Sequence, residues 1–146
     1  MSFRRLWPLL LPLGLALAAT GWAADLKLSG RPVRDDVRQV VETQLAAFRQ
    51  DDYAAAFALA ARGIRERISL RVYEAMLKRG YPALAQHRRA DLGLPRDDGL
   101  GHAEVAVTVF DAAGHRAGFR YRLMLEEGVW RVSGVVQDDQ PKRADM

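Results

Sequence analysis

The sequence contains no cysteine, so disulfide bonds, thiol chemistry and the acylated cysteine of a lipoprotein are excluded. Stability must therefore come from core packing, for which a single domain of this size is large enough. Lysine is also rare: three of the 22 basic residues are lysine, and the others are arginine. The arginines are not clustered among stacking aromatic residues, so we expect no nucleic-acid partner.

A long apolar segment is missing as well. The apolar run at residues 6–19 covers about 14 residues and is interrupted by prolines, whereas a transmembrane helix needs roughly 20. Arg4 and Arg5 precede this run, and the small residues Gly21 and Ala23 follow it. This order is typical of a secretory signal peptide, which we predict to be cleaved after Ala23. An uncleaved N-terminal anchor is the alternative, and other small residues nearby leave the exact cleavage site open.

Removal of the signal at residues 1–23 gives a periplasmic or secreted protein with no permanent membrane anchor. Without the two arginines of the signal, 20 basic residues remain against 18 acidic ones, a net charge of about +2. The remaining length fits one domain. We predict a lead-in segment at residues 24–34, a single α+β domain at 35–137 and a flexible tail at 138–146.

Hydrophobic residues recur at helical spacing in the first half of the domain. A first helix is predicted from Asp35, with Asp35 or Asp36 as its N-cap, and a second from Asp51-Asp52 to a break at Gly63. Such aspartates accept hydrogen bonds from the unbonded amides of the first turn.

A third helix is predicted over residues 70–79. Ser69 precedes it as a cap, and Gly80 follows it where a left-handed residue commonly ends a helix. Pro82 then prevents the helix from continuing.

The hydrophobic period changes from 3.6 to 2 in the second half, which is typical of strands. A weak strand is predicted near residues 86–93, then a loop at 95–101, then clear strands at 102–110, 116–126 and 129–137. Short turns make these strands antiparallel neighbours. The sequence therefore predicts an α+β domain with three N-terminal helices packed on an antiparallel sheet of about four strands. The residues predicted to face inward from the sheet are Val105, Val107, Val109, Phe119, Tyr121, Leu123 and Leu125.

Four segments carry a family resemblance: VETQLAAF at residues 41–48, AAFALA at 55–60, RGYP at 79–82 and GVWRVSGV at 128–135. Over residues 35–137 the sequence resembles the bacterial domain-of-unknown-function family 4864. The resemblance implies the nuclear-transport-factor-2-like, or cystatin-like, cone fold, in which helices pack on a curved sheet. It implies no established activity.

Catalysis in such a cone needs an acid or base that faces inward. The predicted inward faces of the sheet contain no carboxylate and no histidine. The weak catalytic candidates are Asp52, Tyr53 and Tyr121, because Asp52 and Tyr53 place a carboxylate next to a phenol. The alternative interpretation is a helix cap followed by a core tyrosine.

A set of aromatic residues is the candidate lining of an apolar ligand pocket, with phenol hydroxyls as its few polar contacts. Ordinary core packing is the alternative for the same residues. The set consists of Tyr53, Phe57, Tyr73, Tyr81, Tyr121 and Trp130.

His87, His102 and His115 lie on separate predicted elements, without the close ligand spacing of a zinc site. We interpret them as solvated or sheet-edge histidines, and we predict no metal site and no cofactor.

These observations favour a non-catalytic binding or interaction module. Its partner would be an unidentified small apolar ligand or a protein, and a homodimer through the sheet is compatible with the pattern. The alternative is a cofactor-independent acid/base enzyme, similar to an isomerase or dehydratase, that uses a small apolar pocket with Asp52, Tyr53 and Tyr121.

Overall fold

The structure, a computed structural model, describes residues 25–138. The predicted signal peptide and residues 139–146 of the predicted tail lie outside this range. Within it, no helix is long and apolar enough to cross a membrane. The elements in chain order are β1 (Lys27–Leu28), α1 (Arg31–Arg49), α2 (Tyr53–Ala58), α3 (Arg62–Arg67), α4 (Leu70–Gly80), α5 (Pro82–Ala85), β2 (Arg89–Leu92), β3 (Arg96–Asp97), β4 (His102–Phe110), β5 (Arg116–Glu126) and β6 (Val129–Asp138).

Helix α1 begins at Arg31, earlier than predicted. Gly30 occupies the N-cap position and Pro32 lies in the first turn, where the missing N–H of proline costs no hydrogen bond and its fixed φ favours the helix. The prediction that Asp35 or Asp36 caps this helix is therefore wrong, since both are exposed residues inside α1. The buried stripe of α1 consists of Val37, Val41, Gln44, Leu45, Ala47 and Phe48.

Two other predicted helix starts are confirmed by their caps. Asp52 Oδ1 accepts a hydrogen bond from the Ala55 amide at 3.1 Å where α2 begins. Ser69 Oγ accepts one from the Val72 amide at 3.2 Å where α4 begins. Each cap satisfies a backbone N–H that has no partner inside the helix.

The predicted roles of two glycines are wrong. Gly63 lies inside α3 instead of breaking a helix, and the start of α3 is held by Glu126, whose carboxylate oxygens accept from the Arg62 amide at 3.1 and 3.3 Å. A glycine inside a helix costs only about 1 kcal/mol relative to alanine, which such an anchor can offset. Gly80 is the last residue of α4, and its φ is not positive. The chain continues directly into α5 at Pro82, so no left-handed residue ends the helix.

The sheet is antiparallel, in the order β1-β3-β4-β5-β6, and β2 also pairs with β4. Because β5 pairs along the whole of β4, β2 and β3 share the other edge of β4, at residues 107–110 and 103–104 respectively. The predicted loop at 95–101 thus contains a strand, and so does the predicted lead-in segment. These two-residue strands account for the difference between about four predicted strands and the six in the sheet.

The outer edge of β6 is bonded at Val132 to the chain between α2 and α3. The Val132 amide donates to the Leu59 carbonyl at 2.9 Å, and the Ala61 amide donates to the Val132 carbonyl at 2.8 Å. A register shift opposite the Arg122/Leu123 step leaves Ser133 as an extra residue in β6. A bulge of this kind bends a strand and increases its local twist.

The core lies between α1 and the inner faces of β4 and β5. Six of the seven residues predicted to face inward are at most 1% exposed: Val105, Val107, Val109, Phe119, Tyr121 and Leu123. Leu125 is a correction, because it is 43% exposed near the β5–β6 turn. The largest fully buried side chains include Tyr121, Phe48 and Phe119, so bulky side chains fill the space between the helices and the sheet.

Candidate functional site

A small cavity of about 80 Å³, partly open to solvent, lies beside α1, α4 and β6. Its polar side chains are Gln44, Tyr73 and Tyr81, and the rest of its lining is apolar or glycine. Small-molecule pockets typically measure about 300–1,000 Å³. The cavity is therefore too small for an organic ligand of ordinary size.

Gln44 connects three helices at this cavity. Its Nε2 donates to the Ala56 carbonyl at 3.1 Å and to the Tyr73 hydroxyl at 3.3 Å, and the side chain is 1% exposed. Burial raises the pKa of Tyr73 far above its usual value, and the Tyr53 phenol adds to this shift. Tyr73 therefore stays protonated at neutral pH and serves here as an acceptor for Gln44.

Tyr121 is the most deeply enclosed phenol. It is fully buried, and its hydroxyl has no hydrogen-bond partner among residues 25–138. Burial raises its pKa well above the usual value, with a further contribution from Tyr73. A phenol that holds its proton this strongly is poorly matched to acid/base catalysis near neutral pH.

The other two acid/base candidates lie away from the 80 Å³ cavity lining. Asp52 is exposed and its carboxylate caps α2. Tyr53 packs on Phe48 with ring centroids 6.0 Å apart, and the ammonium of Lys78 lies 5.2 Å from the Tyr53 ring centroid. Within the described chain, none of the three candidates is among the residues that line this cavity.

The six aromatic candidates do not share one pocket. Tyr73 and Tyr81 line the cavity, and Phe57 packs on Tyr73 with centroids 5.0 Å apart. Tyr81 packs on Phe119 at 6.2 Å, and its hydroxyl donates to the Val135 carbonyl at 3.3 Å. Tyr53, Tyr121 and Trp130 are core residues.

A larger concavity, which we call the α1–β2 groove, lies between the first helix and the strand β2. Its volume is about 430 Å³, within the usual range of ligand sites. The groove is lined by Arg38, Glu42, Leu45, Arg49, Ala90, Asp91 and Leu92.

Sequence reasoning missed the α1–β2 groove. Residues 38, 42, 45 and 49 recur every three or four positions, which places them on one face of α1. That spacing was a usable signal for a charged helix stripe. No local pattern indicates that β2 lies opposite this stripe, because the pairing of β2 with β4 is a tertiary contact.

Most charges of the α1–β2 groove are paired. Arg38 Nη2 lies 3.5 Å from Glu42 Oε1, and both oxygens of Asp91 accept from Arg89 Nη1 at 3.0 and 3.1 Å. Arg49 differs: its Nη1 donates to Nε2 of His87 at 2.9 Å, and the structure gives it no carboxylate partner within residues 25–138.

His87 is a buried neutral imidazole, so its interpretation as a solvated or edge residue is wrong. It is 2% exposed, and its Nδ1 lies 2.6 Å from the Leu84 carbonyl. Because the Arg49 guanidinium can only donate, Nε2 of His87 must accept and Nδ1 must carry the proton. Burial lowers the pKa of His87 and the Arg49 charge lowers it further, against the opposing effect of the Leu84 bond.

The other two histidines pair with aspartates. His102 Nδ1 lies 2.7 Å from Asp98, and His115 Nδ1 lies 3.1 Å from Asp111. Among the described residues, no group of three or more histidine and acidic side chains could hold a metal ion.

The family to which this chain belongs is shown by a sequence match that covers most of its length. The model of a family described as a domain of unknown function, DUF4864, matches residues 31–144. The chain belongs to the DUF4864 family. The resemblance predicted from the four segments is thereby confirmed. No curated protein matches this DUF4864 chain.

Two solved structures are similar to this DUF4864 domain. An NTF-2-like protein of unknown function from Shewanella oneidensis is 15% identical, with a TM-score of 0.56, over 75% of this chain and 100% of that one. Aln2 from a Streptomyces species is 19% identical, with a TM-score of 0.54, over 77% of this chain and 94% of that one. At these identities the likeness supports the fold alone, and it confirms the predicted α+β cone.

Proposed function

We propose that this DUF4864 protein is a non-catalytic binding module that acts in the periplasm or outside the cell. The observation that carries the proposal is the contrast between its two concavities. The smaller cavity measures about 80 Å³ and, among the described residues, has no ionisable side chain other than tyrosine in its lining, whereas the α1–β2 groove measures about 430 Å³ and combines two arginines and two carboxylates with Leu45, Ala90 and Leu92.

Export is the second part of the proposal. It is supported by the cationic start, the short apolar run and the small residues before Ala24. Cleavage after Ala23 would leave every described element intact, since the first of them is β1 at Lys27–Leu28.

An acid/base enzyme is the weaker alternative. It needs a titrating group beside a bound substrate, yet Asp52 is engaged as a helix cap and burial raises the pKa of Tyr121 well above its usual value. A binding function needs neither group.

Native mass spectrometry of the protein purified from the extracytoplasmic fraction of its host tests the proposal. We expect an N-terminus at or near Ala24 and a small molecule that leaves the protein only at higher collision energy. The same spectrum reports whether the protein is a monomer or a homodimer. An intact Met1 would contradict cleavage of the signal, and absence of the protein from that fraction would contradict export. Conversion of a co-purified molecule into a product by the purified protein would contradict a non-catalytic role.

A further inference from the structure

The α1–β2 groove contains an arginine, Arg49, that forms no ion pair with any acidic side chain among residues 25–138. Arg49 lies in the last turn of α1 and lines the groove. In the part of the chain that the structure describes, its polar side-chain contact is the neutral His87. The guanidinium carries five N–H donors in a planar fork, so this bond leaves donors for another acceptor.

The buried imidazole fixes where that guanidinium lies. Nδ1 of His87 is bound to the Leu84 carbonyl, so the ring cannot turn freely and Nε2 stays directed at Arg49. An arginine held at one nitrogen loses less side-chain entropy when it binds a ligand, which favours binding. His87 is thus a positioning residue for Arg49.

The rest of the groove restricts the chemistry of its occupant. Ala90 and Leu92 are partly buried on the facing strand and give the groove a small apolar patch among its charged side chains, whereas Leu45 is only 1% exposed. Glu42 and Asp91 also line the groove. Although each has an arginine partner, their negative charge disfavours a ligand with several anionic groups.

We propose that the α1–β2 groove binds a small organic monocarboxylate with an apolar tail. The carboxylate would bind the guanidinium of Arg49, since a planar fork matches a carboxylate in bidentate geometry. A short tail would lie over Ala90 and Leu92, the apolar residues of the lining that are partly exposed. This inference rests on the proposed binding function and names its ligand class.

Titration with hexanoate, followed by backbone and arginine side-chain amide NMR, tests the site directly. We expect saturable shifts in residues of α1 and β2, and we expect the Kd to rise about tenfold or more in Arg49→Gln, because a charge-assisted pair is lost. Arg31→Gln is the matched control, since Arg31 lies on the same helix, is highly exposed and is outside the groove. Hexylammonium should bind much more weakly than hexanoate.

Three outcomes would overturn the groove assignment: no saturable hexanoate binding, equal affinity in Arg49→Gln, or equal affinity for hexylammonium. Each differs from failure of the binding function itself. The native mass spectrum could show a bound small molecule while hexanoate binds Arg49→Gln as tightly as the unchanged protein. In that case the protein is a binding module whose ligand site does not depend on Arg49.

The positioning role of His87 has its own readout. In His87→Gln the amide oxygen can still accept from Arg49, whereas His87→Leu removes the acceptor. We expect hexanoate affinity to fall several-fold in His87→Leu and to be largely retained in His87→Gln. If the two variants have equal affinity while both give folded NMR spectra, His87 does not position Arg49.

Discussion

Arg49 donates from Nη1 to Nε2 of His87 at 2.9 Å, so the end of α1 is tied to the segment between α5 and β2. The bond requires a neutral imidazole, because a protonated ring has no acceptor. The same contact therefore links the charge state of one buried residue to folding and to the geometry of the α1–β2 groove.

The first prediction is that stability falls as the pH drops below about 6.5. In the folded protein, burial and the Arg49 charge lower the pKa of His87, whereas in the unfolded chain it returns to about 6.5. Below that pH the unfolded state binds a proton that the folded state excludes, so protonation favours unfolding. The contribution of the neutral His87 to the free energy of unfolding is complete above about pH 6.5. It is lost progressively as the pH falls toward the pKa of His87 in the folded protein. Urea unfolding across a pH series measures it.

His87→Gln is the control, because glutamine does not titrate. Its free energy of unfolding should vary less between about pH 7 and 5 than that of the unchanged protein. The pairs of His102 and His115 are present in both proteins and cancel in the comparison. Burial raises the pKa values of Asp98 and Asp111, but hydrogen bonds outweigh it and the net shifts are downward from 3.8, so these groups titrate at lower pH. An unchanged pH slope in His87→Gln would contradict the assignment.

The sequence was a good guide where the determining signal is local. The bounds of β4 and β5 were predicted correctly as 102–110 and 116–126, because alternating inward residues mark the centre of each strand and glycine-containing turns bound both of them. The strands β1 and β3 have two residues each, too few for any period. They form through tertiary pairing, because β3 pairs with the edge of β4 and β1 pairs in turn with β3.

The α1–β2 groove was not predictable for a related reason. Arg49 and His87 are 38 positions apart, and nothing near His87 in the sequence distinguishes a buried ring from an exposed one. The capping role of Asp52, in contrast, is a contact between residues three positions apart and was foreseen as the alternative to catalysis.

A second prediction concerns Asp52. If its carboxylate acts as a cap, Asp52→Ala should lower the free energy of unfolding by about 0.5–2 kcal/mol, whereas Asp52→Asn should lose little, since asparagine is also a good cap. Urea denaturation measures both. Ser69→Ala, the matched change at the start of α4, should cost a similar amount. An Asp52→Asn variant that keeps its stability but loses turnover of a small molecule would support the enzyme alternative.

A third prediction concerns the β5–β6 hairpin. Glu127 and Gly128 have φ values of 50° and 79°, as a two-residue type I′ turn requires. Gly128→Ala should destabilise the protein by about 1–2 kcal/mol, the usual cost of a left-handed backbone for a residue with a Cβ. Gly134→Ala is the control, since no atom lies within 4 Å of a Cβ there and its φ is not positive. Equal effects in thermal unfolding would contradict a conformational origin.

A fourth prediction contrasts two buried phenols. The Tyr121 hydroxyl has no hydrogen-bond partner among residues 25–138, so its removal in Tyr121→Phe relieves a desolvation cost. The variant should be as stable as the unchanged protein, or more stable by about 1 kcal/mol. In Tyr73→Phe the amide of Gln44 loses an acceptor, and we expect a loss of about 1 kcal/mol.

Urea unfolding of the two variants side by side separates the effect of hydrogen bonding from the effect of packing. Both changes delete one buried oxygen from the same core, so they differ mainly in whether that oxygen has a hydrogen-bond partner. A loss above about 2 kcal/mol in Tyr121→Phe would show that this hydroxyl has a stabilising partner after all. The acid/base alternative predicts a different result for the same variant. It requires Tyr121→Phe to abolish activity while leaving the fold intact, whereas a binding module that uses the α1–β2 groove should keep its hexanoate affinity.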